Sequence, residues 1–150
     1  MVIGSVASVA STLTLLLASH RATGSAVSGT NATSHWLWGR SATRRRRVSL
    51  RHTVPGYVIH HGSSIFWAVF FERATARQPA LERQAVSAAV TAALAYVVDY
   101  HVIPRRLNPG FEQRMSAAGL LATYASFAVG LQLGRRLLDR GQRPGSRSIH

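Results

Sequence analysis

The sequence predicts an all-α fold, a polytopic membrane protein built as a four-helix transmembrane bundle, and three observations predict it. Apolar residues are segregated: four nearly uncharged stretches of about 16–20 residues, each long enough or nearly so to cross about 30 Å of hydrocarbon, alternate with short arginine-rich ones. The 18 basic residues, against five acidic and a net charge of +13, sit almost entirely between those stretches, where topogenic flanks belong. Proline and glycine punctuate the joins. Averages hide all of this, since 47% hydrophobic residues and a mean hydropathy of +0.07 describe an ordinary soluble protein.

The expected spans cover residues of about 2–19, 55–72, 84–101 and 115–134, within one transmembrane domain over 1–137. The first carries no charge and is about 27 Å long as a helix. No basic segment precedes it and Arg21 follows it, which favours a retained helix over a cleaved signal. The second opens on Pro55-Gly56, where a missing N–H costs nothing in a first turn, and is the least apolar, with His60, His61, Ser63 and Ser64. The third is rich in alanine and ends near Asp99, because Pro104 blocks continuation. The fourth is uncharged up to Arg135-Arg136. A basic tail over 138–150, made of Gly, Pro, Ser and Arg, reads as disordered. Short connections make spans two, three and four antiparallel neighbours.

Small residues recur at four-residue spacing in Gly4-Ser8-Thr12, Ala85-Ala89-Ala93 and Ser126-Gly130-Gly134. Such ridges let helix backbones approach closely in lipid. They serve the bundle itself or a homo- or hetero-oligomer, the first being the default. The first connection, residues 20–54, is the longest. It places Trp36 and Trp38 beside Arg44, Arg45, Arg46 and Arg47, a pairing suited to the membrane interface, with guanidinium groups on anionic phospholipid headgroups. A solvated loop is the plainer reading of the same run. Ten arginines flank one side of the bundle and eight the other, so the positive-inside rule puts the first and third connections in the cytoplasm. A charge of +13 also suits nucleic acid, but that reading leaves the placement of the arginines unexplained, and no nucleic-acid partner is expected. Without cysteine, disulfides, thiolate catalysis and iron–sulfur clusters are excluded.

The strings Asn31-Ala32-Thr33-Ser34-His35-Trp36-Leu37-Trp38-Gly39, Arg51-His52-Thr53-Val54-Pro55-Gly56-Tyr57-Val58-Ile59-His60-His61 and Ser64-Ile65-Phe66-Trp67-Ala68 resemble a group of small proteobacterial inner-membrane proteins over residues 1–135. The resemblance implies a multi-pass protein of a bacterial inner membrane. It carries no activity and no catalytic residue with it.

Six of the seven histidines, His20, His35, His52, His60, His61 and His101, fall on one side of the expected membrane, and Asp99 joins them. Imidazole and carboxylate are the ligands that zinc or iron takes in a chain without thiols. His60, His61, Asp99 and His101 are therefore the candidate metal ligands, and a zinc or iron ion the candidate cofactor. Interfacial histidines more often hydrogen-bond to headgroups, water and carbonyls. The chain has one His-His pair and no HxxxH box, and helix neighbours 100° apart cannot comfortably share one centre. Helical rise also places His60 or His61 within reach of Asp99, with Arg105 and Arg106 as competing partners. GxSxG, P-loop, GxGxxG and HExxH patterns are absent. The leading expectation is an integral membrane protein without evident catalytic activity, a structural or binding subunit. The alternative is a membrane-embedded metal-dependent enzyme using the clustered histidines.

Overall fold

A computed structural model describes residues 1–77 and 80–141, and among them every regular element is helical. Helix α1 is Val2–Thr23 and stops at Gly24, whose left-handed backbone (φ 73°) lets its N–H return to the His20 carbonyl. Two short helices follow, α2 (Ser28–Thr33) and α3 (His35–Trp38), then a tight 3-10 turn, Gly39–Arg44. Helix α4 is Thr53–Thr75, and α5 is Leu81–Val97, running on as a wide π turn, Val98–Val102. Helix α6 is Ala117–Gly141. Three helices, Val2–Thr23, Leu81–Val102 and Ala117–Gly141, are long and apolar enough to cross a membrane. Helix α4 is as long but is diluted by His60, His61, Ser63 and Ser64.

The four long helices form a ring in which α1 packs on α6 and α4, and α5 packs on the same two. Direction alternates around it: Met1 lies near Glu72 at the far end of α4, while Ile3 meets Gly134 and Ala18 meets Gly119 along α6. At the α1–α6 contact a Cβ added to Gly130 would lie 2.5 Å from Ala7 Cα, and one added to Gly134 would lie 2.7 Å from Ile3 Cα. Only glycine permits that approach. Two of the three small-residue ridges are thus spent inside the bundle. The third faces outward, because Ala85, Ala89 and Ala93 are exposed while Gln84, Ala88, Thr91, Ala92 and Ala95 are buried.

Small polar side chains share the interior with an apolar core of Ile3, Ala7, Ala68, Phe71, Phe127 and Leu131, and many large apolar side chains face outward. Ser8, Ser11, Ser64, Thr75, Gln84, Thr91 and Thr123 are buried, whereas Leu13, Leu17, Val58, Phe66, Val90, Leu94, Leu121 and Leu133 are exposed. The buried hydroxyls of Ser11, Ser64, Thr75, Thr91 and Thr123 are satisfied by carbonyls on their own helices. That local bonding lets these five pack inside without an unmet donor, whereas the buried Ser8 hydroxyl has no partner.

Each helix runs past its expected span, and both ends of the last one move. Ser116, through its side chain, caps the Gly119 N–H at 3.1 Å, so the last helix begins at Ala117 and not at 115. It also outlasts Gly134: Arg135 and Asp139, one turn apart, pair at 3.1 Å, and the helix reaches Gly141. Residues 138–141, expected as the start of a disordered tail, are helical for that reason, and 142–150 lie outside the described residues.

The first connection is folded against the end of the bundle. All of α2 is buried. Asn31, fully buried, donates from Nδ2 to the carbonyls of Arg45 (3.2 Å) and Arg47 (3.0 Å), and its Oδ1 accepts from the Thr53 hydroxyl at 2.7 Å. Ser25 holds the Arg46 carbonyl. With the backbone of the arginine run tied inward, the side chains of Arg44, Arg45, Arg46 and Arg47 all stand exposed. Trp38 donates to the Arg51 carbonyl at 2.7 Å, and the Arg51 guanidinium covers its ring at 4.5 Å.

Candidate functional site

The first and third connections meet over one end of the ring. Trp36 Nε1 donates to the Asn108 carbonyl at 2.9 Å, and Gly110 packs beside Ala32 and His35. Beneath this cover lies a cavity of about 50 Å³, and every long helix contributes to its wall. Helix α1 supplies Ser11, α4 supplies His60 and Trp67, the turn after α5 supplies Asp99, and α6 supplies Tyr124 and Phe127. Trp36 and Phe111 close it from the connections.

Two polar pairs organise the wall. Tyr124, through its hydroxyl, donates to Asp99 Oδ2 at 2.6 Å, a length typical of a bond to a carboxylate. Asp99 is placed there by the π turn, in which the Ile103 N–H reaches back five residues to Val98 at 3.0 Å. Such widened turns recur where a helix serves a site. The second pair is His60 Nε2 and Ser11 Oγ at 2.9 Å. The serine has one hydrogen, and the Ala7 and Ser8 carbonyls lie 2.9 and 3.2 Å from its oxygen. Every bond is made when His60 Nε2 carries the proton and donates. Phe111 braces the imidazole edge-on, with centroids 5.7 Å apart.

A serine beside a histidine has the composition of a nucleophile and its base. Here Ser11 is buried in mid-helix, directs its hydrogen at its own backbone, and is flanked by N–H groups committed to helical bonds. Those N–H groups are not free to receive an oxyanion, and the pair forms a helix-to-helix clasp between α1 and α4.

Of the four candidate metal ligands, the structure brings two, His60 and Asp99, to one cavity. His61 points elsewhere, as a 100° step requires, and stacks on Tyr57 with centroids 5.6 Å apart. His101 is exposed and meets the edge of Tyr96. Among the described residues no three histidine or carboxylate side chains gather in a group that could hold a metal ion. The hydrogen-bond partner of Asp99 is Tyr124, not His60, His61 or either of Arg105 and Arg106, which are exposed. His35 and His52 are structural: His35 Nδ1 lies 2.8 Å from the Ala32 carbonyl, and His52 Nδ1 lies 3.3 Å from Ser49 Oγ.

Tyr124, Trp67 and Ser11 were not legible as site residues. A tyrosine or tryptophan in an apolar span carries no mark of what it faces until its neighbours are known. Trp36 reads from the sequence as an interfacial anchor, yet its indole is fixed across the cavity mouth. Set against known protein families, characterised proteins and solved structures, the chain matches none.

Proposed function

We propose that the chain is a four-span protein of a bacterial inner membrane that acts as a binding subunit, without chemistry of its own. The observation that carries this reading is the cavity, a small, mainly apolar pocket lined by aromatic residues and a few polar groups at one end of a bundle whose outer faces are apolar. Ligand pockets combine a largely apolar wall with a few fixed polar groups in this way. Ionisable side chains at such a depth are expensive and mark function.

Helix α4 counts as the fourth span because its polarity is turned inward. Ser64 is buried and His60 is clasped to Ser11, while Val58, Phe66 and Phe70 face outward. The exposed run Arg44–Arg47 belongs to the connection that covers the cavity, with Leu50 and Leu37 also exposed nearby in sequence. Basic and apolar side chains together suit the anionic headgroup layer.

The metal-enzyme reading retains one specific support, the shared cavity of His60 and Asp99. A catalytic zinc takes three protein ligands, and the described residues supply two. Two measurements separate the readings. Membranes washed with alkaline carbonate should keep the protein in the pellet, and release into the supernatant would overturn the membrane assignment. Metal analysis of the detergent-purified protein should find no stoichiometric transition metal. One zinc or iron ion per chain, lost on His60→Ala, would replace the binding reading with the enzyme.

A further inference from the structure

Asp99 has a hydrogen-bond donor but, among the described residues, no cation paired with it. Among the described residues the only ion pairs join Met1 to Glu72 and Arg135 to Asp139. A carboxylate left without a counter-charge inside a bundle is costly, so its partner is expected to come from elsewhere. The short bond from Tyr124 stabilises the charge without neutralising it.

What surrounds Asp99 narrows the partner. Trp36, Trp67, Phe111, Tyr124 and Phe127 line the same cavity, and no arginine does. Ring faces carry negative potential and attract cations, most strongly where water is excluded. A carboxylate within an aromatic box therefore favours positive ligands on both counts and repels anions. An organic ammonium suits the box better than a hydrated metal ion, because its carbon substituents gain from the rings and it sheds water at less cost. Tyr124 and Trp36 have their polar hydrogens committed, to Asp99 and to Asn108, so the indole and phenol rings are held in place before any ligand arrives. A single water needs roughly 10–15 Å³, and about 50 Å³ admits a few heavy atoms.

We infer that this cavity binds a small alkylammonium ion, with Asp99 as its counter-charge and the aromatic wall as its box. The inference rests on the binding reading above and names its ligand class.

The test uses the full chain in detergent and follows tryptophan fluorescence, since Trp36 and Trp67 stand on the wall, with the thermal midpoint as a second readout. The probe is ethylammonium chloride. Ethanol serves as a neutral molecule of the same size, and sodium chloride matches ionic strength. Ethylammonium should give a saturable change and raise the midpoint, and neither control should do so. Asp99→Asn should weaken binding at least tenfold, and Trp67→Leu should weaken it severalfold. If Asp99→Asn does not fold, the comparison of ethylammonium with ethanol on the parent chain still decides. An equal response to ethanol would leave a binding cavity but overturn its preference for cations. An equal response to sodium chloride would overturn the organic ligand, and unchanged affinity in a folded Asp99→Asn would put the cation elsewhere. No saturable response to any of them would overturn both this inference and the binding reading.

Discussion

Asn31 shows how one side chain can shape a loop much larger than itself. It is fully buried, and its amide makes three bonds, two of them to carbonyls of the arginine run. Removing it strands those carbonyls and the Thr53 hydroxyl together. Asn31→Ala should cost about 2–4 kcal/mol at roughly 1 kcal/mol or more per bond, read as a lower thermal midpoint in detergent. A midpoint equal to the parent's would show that the loop is held by something else. His52, at the foot of α4, makes the same region sensitive to acid. Burial first, then Arg45 and Arg51 beside it, lower its pKa below the ordinary 6.5. The folded chain thus binds a proton at His52 less readily than the unfolded chain does. Its contribution to stability is whole above about pH 6.5 and is lost as the pH falls below that value. A series of melts from pH 7.5 to pH 5 should show a shallower acid decline in His52→Gln than in the parent. Parallel curves would mean that His52 titrates alike in both states.

At the scale of the helix, the contact between α1 and α6 depends on two missing side chains. Gly130→Val should wedge the helices apart, because the added Cβ alone would meet Ala7 Cα. Overpacking of this kind costs about 1–3 kcal/mol. Ala89→Val, on the exposed face of α5, should stay within about 0.5 kcal/mol. If both variants melt alike, the close packing is not what holds the pair. Helices were the legible part of this chain because length and hydropathy are local properties. The small-residue ridges were legible as well, but which neighbour each one meets was not. Helix α2 was not legible, since Ser28-Gly29-Thr30-Asn31 has the composition of a loop, and its burial against α1 and α4 is a matter of packing that the local sequence does not encode. The bond from Tyr124 to Asp99 joins residues 25 positions apart on different helices, a relation that no periodicity within one helix encodes. Divergence of His60 from His61, by contrast, followed from the helical step alone.

For the whole molecule, the alternating directions of the four helices put the first and third connections at one end, tied by Trp36 and Asn108. Single cysteines at Ser41 and Arg106, both exposed, should react with a membrane-impermeant maleimide from the same side. Labelling from opposite sides would remove one span from the count. The ring has a further consequence for how the chain is made. Helix α1 emerges first, yet its most extensive contact is with α6, the last. Roughly 95 residues separate the end of one from the start of the other, which at about 5–20 residues per second is roughly 5–20 s of synthesis. Throughout that interval Ile3, Ala7 and Ala10 lack the helix whose Gly130 and Gly134 later close on them. A ribosome stalled before Ala117 would leave α1 held by α4 alone, with the face that receives Gly130 and Gly134 on display to whatever surveys nascent chains for unassembled helices.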